Sequence, residues 1–512
     1  MPTLEWIGKD KVINHHQDVP YKVLKHKYGF ENGKQSENIT NTGNKIIHGD
    51  NLEALKSLLP EYEGKIKCIY IDPPYNTGNE KWVYNDNVNH PKIKKWLGEV
   101  VGKEGEDLSR HDKWLCMMYP RLKLLHKLLS EDGVIFISID DNEQANLKLI
   151  CDEIFGSSIK MNYIGCIHWK RSESQNNNAK HFSTVGEYIL CYTKGNKNNI
   201  SFNKIELTEK AKKEYRYKDE RGFFRRGTIV DNTRGNNIIE IQTPTGDKKT
   251  IKSIRTLEWI EEMKEKDLIY WTKTGTPYSK IYLESSEGQV ISNWLDNVGV
   301  NEDATEELTK MNINFPYSKP YSLINKLINI STDKNAIILD SFAGSGTTAH
   351  AVLNLNKEDE GNRKFIIIEM ENYAESITAE RVKRVINGYS DVEGTGGGFD
   401  YYELGEPLFI SEDILNENID INIIRQYIFY TETKKTLKTE NEKNKYFLGS
   451  ENNADYYFYY EKEEVTVLNY DFIATLQNKA EQYVIYADKC SLSKEELVKM
   501  NIIFKKIPKV KI

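Results

Sequence analysis

No stretch of this sequence is apolar for long enough to cross a bilayer. Its N-terminus, Met1-Pro-Thr-Leu-Glu-Trp6, has neither the basic start nor the apolar run of a secretory leader. A cytoplasmic protein with no membrane partner is the expectation. Cysteine is scarce, at six in 512 residues (Cys68, Cys116, Cys151, Cys166, Cys191 and Cys490), and no C-x-x-C pair occurs. That argues against a disulfide framework and against a zinc site. His15 and His16 are adjacent but have no partner at metal-ligand spacing, so they read as surface residues and no metal is expected. A P-loop is missing too. The early pair Gly33-Lys34 is followed by Gln35, and no Gly-Lys-Ser or Gly-Lys-Thr follows any glycine turn. Repeats of fixed period are absent. An excess of basic charge is also lacking: the net charge of -7 and pI of about 5.9 argue, taken whole, against a nucleic-acid partner.

What is present is uneven. From Lys160 to Arg234, Lys and Arg outnumber Asp and Glu by about two to one, a footprint that the whole-chain sum hides. The same run also reads as a solvated basic face. At 512 residues, two or three domains are expected, and 39% hydrophobic with 29% charged residues is a globular composition. The first part alternates strands and helices. Lys45 to Asp50 is a strand ending in a turn, and Asn51 to Leu59 has leucines at helical spacing. Ile66 to Ile71 is an apolar strand, Trp114 to Leu129 an amphipathic helix stopped by Ser130-Glu-Asp-Gly133, and Val134 to Ile139 a buried strand. Asn146 to Phe155 is a further helix. After about residue 160 the periodicity fades into a loop-rich α+β stretch with short strands such as Tyr188 to Tyr192. It resumes with a helix over Tyr321 to Ile330, a strand over Ala336 to Asp340 and a helix over Thr347 to Leu355. A strand over Lys364 to Glu369 and a helix over Tyr373 to Ile386 complete it. Gly394-Thr-Gly-Gly-Gly398 reads as a turn leading out of that domain. Near-continuous apolar strands alternating with helices imply an α/β fold, a doubly wound, mostly parallel sheet covered on both faces. The expected divisions are 1–160, an insertion at 161–310, 311–400, and a C-terminal α+β region at 401–512.

Two strand ends carry chemistry. Asp72-Pro73-Pro74-Tyr75 follows an apolar strand directly, at the carboxyl end where open α/β sheets bind ligands. Consecutive prolines fix an extended backbone without donors and leave carbonyls free to accept. An exocyclic amine needs acceptors for two hydrogens, which the Asp72 carboxylate and the Pro73 carbonyl supply. Tyr75 offers a flat face to a base drawn out of a duplex. A plain strand-ending turn would give the same four residues. Asp340-Ser-Phe342-Ala-Gly344-Ser-Gly346-Thr347 also lies between a strand and a helix. Its glycines allow close backbone approach to a ligand, and the helix start offers free N–H groups. The next strand ends at Glu369, where a carboxylate can accept from two ribose hydroxyls. A glycine turn alone equally fits a dinucleotide site.

The pair together resembles the beta group of DNA amino-methyltransferases, in which catalytic loop, target-recognition insertion and cofactor loop come in this order. The resemblance implies a circularly permuted sheet of the S-adenosylmethionine-dependent methyltransferase type, with 161–310 as the target-recognition insertion. His48-Gly49-Asp50-Asn51 resembles the strand end whose acidic residue lies beside the cofactor adenine. Ser318-Lys319-Pro320 resembles the motif near the methionine moiety, although Lys319 also reads as an ordinary helix-start lysine. Phe342, Gly344 and Gly346 match the cofactor loop, with Asp340 at its start, and Glu369 matches the ribose-binding acid. Asp72, Pro73, Pro74 and Tyr75 match the catalytic loop.

Asp72-Pro-Pro-Tyr-Asn-Thr-Gly-Asn79 with Trp82-Val-Tyr-Asn-Asp86, Arg110-His-Asp-Lys-Trp114 and Ile137-Ser-Ile-Asp-Asp141 look like the modification subunits of type III restriction-modification systems. The likeness spans roughly residues 1 to 405 and is weakest in the insertion and the tail. Asp140 and Asp141 also read as caps of the following helix. Tyr456-Tyr-Phe-Tyr-Tyr460 reads as strand packing or an interface.

The family implies methyl transfer from S-adenosylmethionine to adenine N6 of double-stranded DNA. It also implies a restriction (helicase–nuclease) subunit as partner and a homodimer; no residue in the chain points to the latter. No Pro-Cys pair occurs, so a cysteine nucleophile of the ring-carbon methylating type is not called for. Cytosine-N4 methylation is the nearest alternative, and a serine often stands at the Asp72 position in those relatives. A DNA-recognition subunit for a nuclease and a nicotinamide-dependent oxidoreductase are more distant. The last leaves Asp72-Pro-Pro-Tyr75 without a task and lacks the G-x-G-x-x-G spacing.

Overall fold

The computed structural model describes residues 3–77, 95, 98, 109–156, 162–175, 177–411, 414–437, 444–476 and 480–508. They form two compact units, one of Met1–Ser201 with Ser292–Ile512 and one of Phe202–Ile291. The larger unit is built on an eleven-stranded sheet. Its strands are β1 (Lys22–Glu31), β2 (Lys34–Ser36), β3 (Lys45–His48), β4 (Ile66–Ile71), β5 (Leu129–Ile139), β6 (Tyr163–Lys170), β7 (Gly186–Thr193), β8 (Trp294–Leu295), β9 (Ile337–Asp340), β10 (Lys364–Glu369) and β11 (Gly398–Pro407). They lie in the order β8-β6-β7-β5-β4-β9-β10-β3-β11-β1-β2. From β5 to β11 every pairing is parallel, while β7 and β1 add antiparallel partners at either side. The central strands read as unbroken apolar runs because both faces are covered. Ile69, Ile71, Ile135, Ile137, Ile366 and Ile368 are all completely buried.

Seven helices of this unit matter for the site: α1 (Asn51–Tyr62), α2 (Arg110–Leu128), α3 (Gln144–Phe155), α4 (Asn301–Lys310), α5 (Tyr321–Ser331), α6 (Thr347–Asp359) and α7 (Glu380–Asn387). Helix α2 starts four residues before its apolar periodicity does. Ser109 and Asp112 close a capping box there, each satisfying the other's backbone N–H. Its end differs as well. Ser130-Glu-Asp-Gly133 is not a loop, because β5 begins at Leu129 directly after the helix. The helix expected over Tyr373 to Ile386 is in two parts, a wider π-type turn over Ala374–Ala379 followed by α7.

Residues 161–310 are shared between the units: β6, β7 and β8 belong to the large sheet, and the smaller unit occupies Phe202–Ile291. That unit has a four-stranded antiparallel sheet, a two-stranded hairpin and a small core of Ile229, Ile241, Ile251, Ile260 and Ile269. The expected division at residue 400 falls inside β11, whose Asp400 to Glu403 pair with β3. In the C-terminal region Tyr457 and Phe458 are 1% exposed and Tyr459 lies flat on Phe472 at 4.1 Å, so the aromatic cluster is strand packing. His16 is buried and not a surface residue. Burial, followed by the charges of Lys127 and Lys123, holds its pKa down to about 4. Among the described residues no helix is long and apolar enough to cross a membrane.

Candidate active site

Strands β4 and β9 are neighbours, with Ile338 opposite Cys68 and Leu339 opposite Ile69 in parallel register. Parallel pairing sends the segments after both strands out over the same edge of the sheet. Asp72-Pro-Pro-Tyr75 and Asp340-Ser-Phe-Ala-Gly344 therefore open onto one cavity of about 300 Å³, which Lys319 and Glu369 also line. Everything lining it belongs to the larger unit.

The proline loop is clamped from behind. Trp114, completely buried on α2, donates its indole N–H to the Pro74 carbonyl at 2.6 Å. Asn76 sits in the left-handed region (φ 58°), and its carboxamide donates to the Arg110 carbonyl at 3.1 Å and to Glu143. Glu143 also binds His111 Nδ1 at 2.7 Å and accepts from Asn146 at 2.8 Å. Arg110-His-Asp-Lys-Trp114 is thus the clamp of the loop. Among the described residues, no donor reaches the Pro73 carbonyl or the buried Oδ1 of Asp72. Oδ2 of Asp72 accepts from Lys319 Nζ at 2.7 Å. Gly78, Asn79 and the Trp82 to Asp86 segment lie outside the described residues.

Lys319 stands between two acids. Its Nζ is 2.7 Å from Asp72 and 3.5 Å from Glu187, and 5.0 Å from the centre of the Tyr75 ring. Burial alone would lower its pKa, but the charges of Asp72 and Glu187 outweigh burial and raise it. The Tyr75 hydroxyl donates to Glu187 at 2.9 Å. Burial, then the charges of Asp72 and Glu187, push its pKa far up, so it remains a donor. Asp140 accepts from the Asn142 backbone and carboxamide, forming the turn into α3, and it also lines the cavity.

The glycine loop is built for close approach. Gly344 (φ 53°) donates its N–H to Glu369 Oε2 at 2.8 Å, and Glu371 N–H reaches the other oxygen at 2.9 Å. Gly346 (φ 86°) is tight against the Thr378 carbonyl, which an added Cβ would meet at 3.1 Å. Asp340 accepts from Phe342 N–H at 2.9 Å and from Thr348 Oγ1 at 2.6 Å. Burial raises Asp340 and Glu369 each to about 7, against the backbone and hydroxyl donors that would lower them.

Two expected residues stand back from the cavity. Gly346 is in the wall behind Gly344. Asp50 caps α1, accepting from Leu52 and Glu53 N–H, and lies 3.6 Å from Arg121. Asn51 and Arg121 line the cavity in its place; Asn51 accepts from Arg121 at 2.6 Å and donates to the Ser341 carbonyl at 3.1 Å. Sequence reasoning also passed over Glu187 and Arg381. Arg381 is completely buried and donates to the hydroxyls of Ser345 (2.7 Å), Thr347 (2.8 Å) and Ser318 (3.2 Å), behind the glycine loop and Lys319. Arg121 carried a readable signal, as the one charge within Trp114-Leu-Cys-Met-Met-Tyr-Pro-Arg-Leu122.

The pattern of a DNA methylase family matches residues 66–380. The chain is 33% identical over 446 residues to the type III restriction-modification enzyme StyLTI Mod subunit of Salmonella typhimurium, covering 79% of this chain and 66% of that one. It is 30% identical over 450 residues to the EcoP15I Mod subunit of Escherichia coli, covering 76% and 67%. It is 33% identical over 368 residues to the type II methyltransferase M.KpnI of Klebsiella pneumoniae, covering 67% and 84%. The chain thus spans about two thirds of the length of the type III subunits it matches.

Proposed function

Because the chain belongs to the N6/N4 DNA methylase family, we propose that it moves a methyl group from S-adenosylmethionine to the N6 amine of adenine in double-stranded DNA, as the modification subunit of a restriction-modification system. One observation carries this reading: the proline loop and the glycine loop, far apart in sequence, open onto the same cavity. The cavity wall suits a cationic ligand. Asp72, Asp140, Glu187, Asp340, Glu369 and Glu371 line it against Arg121, Arg171 and Lys319, six acids to three bases.

Bound S-adenosylmethionine supplies an electrophilic methyl group beside the glycine loop. Gly344 and Glu369 hold the ribose side, and Asp72 Oδ1 and the Pro73 carbonyl accept the two amine hydrogens. The amine lone pair is then turned toward the methyl carbon, a catalysis of positioning and charge stabilisation. As the N–C bond forms and the S–C bond breaks, the Asp72 carboxylate stabilises the positive charge developing on the amine and accepts the proton it sheds, leaving the cofactor as the neutral thioether S-adenosylhomocysteine. The Tyr75 ring provides the face for the adenine, which must leave the duplex at a cost of a few kcal/mol. Likeness to Mod subunits supports a restriction (helicase–nuclease) subunit as partner, a second copy of this chain as a further one, and target reading by the basic stretch after Lys160.

The test is to incubate the chain with plasmid DNA and methyl-labelled S-adenosylmethionine, then map modified bases by single-molecule sequencing. N6-methyladenine in one sequence context is expected; label on cytosine N4, or on no base, defeats the reading. A pH test is independent of the target sequence. Below about 7, Asp340 and Glu369 are protonated in the folded chain. A cationic cofactor needing an ionised ribose acceptor must then expel a proton to bind, whereas above that pH nothing is expelled. Affinity is expected to tighten from about pH 6 to about pH 8, by up to about tenfold per unit for each proton released. Calorimetry in buffers of different ionisation heat reads this directly, and a flat affinity with no proton release refutes it.

A further inference from the structure

A carboxylate buried in a sheet costs several kcal/mol unless charge and hydrogen bonds compensate it. Glu187 on β7 is such a group, with its side chain 4% exposed. Its compensation comes from three separate segments. Arg171, after β6, reaches Oε1 at 3.3 Å, while the Tyr75 hydroxyl (2.9 Å) and Lys319 Nζ (3.5 Å) reach Oε2. All three donors line the cavity where Asp72 lies. The same ammonium is 2.7 Å from Asp72 Oδ2, so a single cation is divided between two acids. In a low-dielectric site, an ammonium left with only Asp72 would bind it more tightly and weaken its pull on an amine. The hydroxyl anchor also fixes the direction in which the Tyr75 ring faces.

We infer that Glu187 is a positioning residue for methyl transfer: by sharing Lys319 with Asp72 and anchoring Tyr75, it leaves Asp72 Oδ1 as an acceptor for the incoming amine and holds the aromatic face still. The inference rests on the reading that Asp72 and Pro73 accept that amine.

The experiment compares wild type, Glu187→Gln, Glu187→Asp and the double variant Glu187→Gln with Lys319→Met, all as the full chain. Each is assembled on a DNA duplex carrying the adenine site mapped for the wild type. The readouts are single-turnover methylation at saturating S-adenosylmethionine, cofactor affinity by calorimetry, and melting temperature. Glu187→Gln keeps shape and an acceptor for Tyr75 but removes the charge, and its rate is expected to fall roughly 100-fold with cofactor affinity unchanged. Glu187→Asp restores the charge and recovers a good part of the rate. The double variant, freed of the unbalanced ammonium, is faster than Glu187→Gln alone. A Glu187→Gln rate within about threefold of wild type overturns the inference, as does a double variant slower than the single one. Wild type that methylates cytosine overturns the adenine reading alone, and wild type that labels no base overturns both.

Discussion

Replacing Asp72 with alanine is expected to lower the single-turnover methylation rate by on the order of 10³-fold, the scale seen when a preorganised group facing developing charge is removed. The fold should survive the change. Asp72 is partly open to the cavity, its carboxylate accepts from Lys319, and that ammonium retains Glu187 at 3.5 Å. No buried cation is left alone, so the large penalty for breaking a buried ion pair does not arise. On the proposed reading cofactor affinity rests on the other loop, through Gly344, Asp340 and Glu369, and is expected to stay within about threefold of wild type, because uniform binding is untouched while transition-state binding is lost. Stopped or quenched single turnovers, together with calorimetry of S-adenosylmethionine, separate the two quantities. A variant that retains more than about a tenth of the wild-type rate removes Asp72 from the chemistry. A variant that loses rate and cofactor affinity in the same proportion places Asp72 in the cofactor site and not at the amine.

Both loops were legible in the sequence because their chemistry is local. Two prolines after an apolar strand, and two glycines between a strand and a helix, impose their backbone form whatever surrounds them. That the two loops share one cavity is implied by the family likeness and not by their spacing. It follows from β4 lying beside β9, a pairing of strands on either side of the 161–310 stretch that only their burial on both faces enforces. Glu187 and Arg381 were invisible for a related reason. Glu187 is the one charge of its strand and Arg381 one of four in its helix, and each has its partners in distant segments: Tyr75 and Lys319 in one case, Ser318 and Ser345 in the other. Trp114 belongs to a motif legible in the sequence, yet its task, a hydrogen bond to the Pro74 carbonyl, depends on a fold that brings two distant segments together. β11 was misplaced by its own prelude. The glycines at 394–398 read as an exit, whereas the chain turns there and re-enters the sheet, burying Phe399 and Tyr401 against β1 and β3.

Arg381 carries the other large effect. Its guanidinium is completely buried, and burial draws its pKa down to about 10, which still leaves it charged near neutral pH. Nη1 gathers the hydroxyls of Ser318, Ser345 and Thr347, while Nη2 reaches His350 Nδ1 at 3.1 Å and Glu307 at 3.4 Å. One side chain therefore ties α4, α6 and α7 to the segments that carry Lys319 and the glycine loop. Arg381→Met keeps the apolar stem and strips the donors. Glu307 is then left with the Tyr389 hydroxyl at 3.1 Å and the His350 ring at 3.7 Å but no cation, and unfolding in urea is expected to show a loss of about 3–5 kcal/mol, the cost of breaking a buried ion pair. The hydroxyls can still bond one another, Ser318 to Ser345 at 2.8 Å, but nothing fixes them to α7. Cofactor affinity should fall by roughly 100-fold, the cost of an ångström of misplacement in a binding constellation. Adding Glu307→Gln distinguishes the two consequences. It removes the orphaned charge and so returns much of the stability, yet it does nothing for the glycine loop, and the cofactor affinity of the double variant stays low. If affinity returns together with stability, Arg381 acts only through folding. If Arg381→Met binds S-adenosylmethionine as wild type does, the hydroxyl cluster has no part in holding the loop.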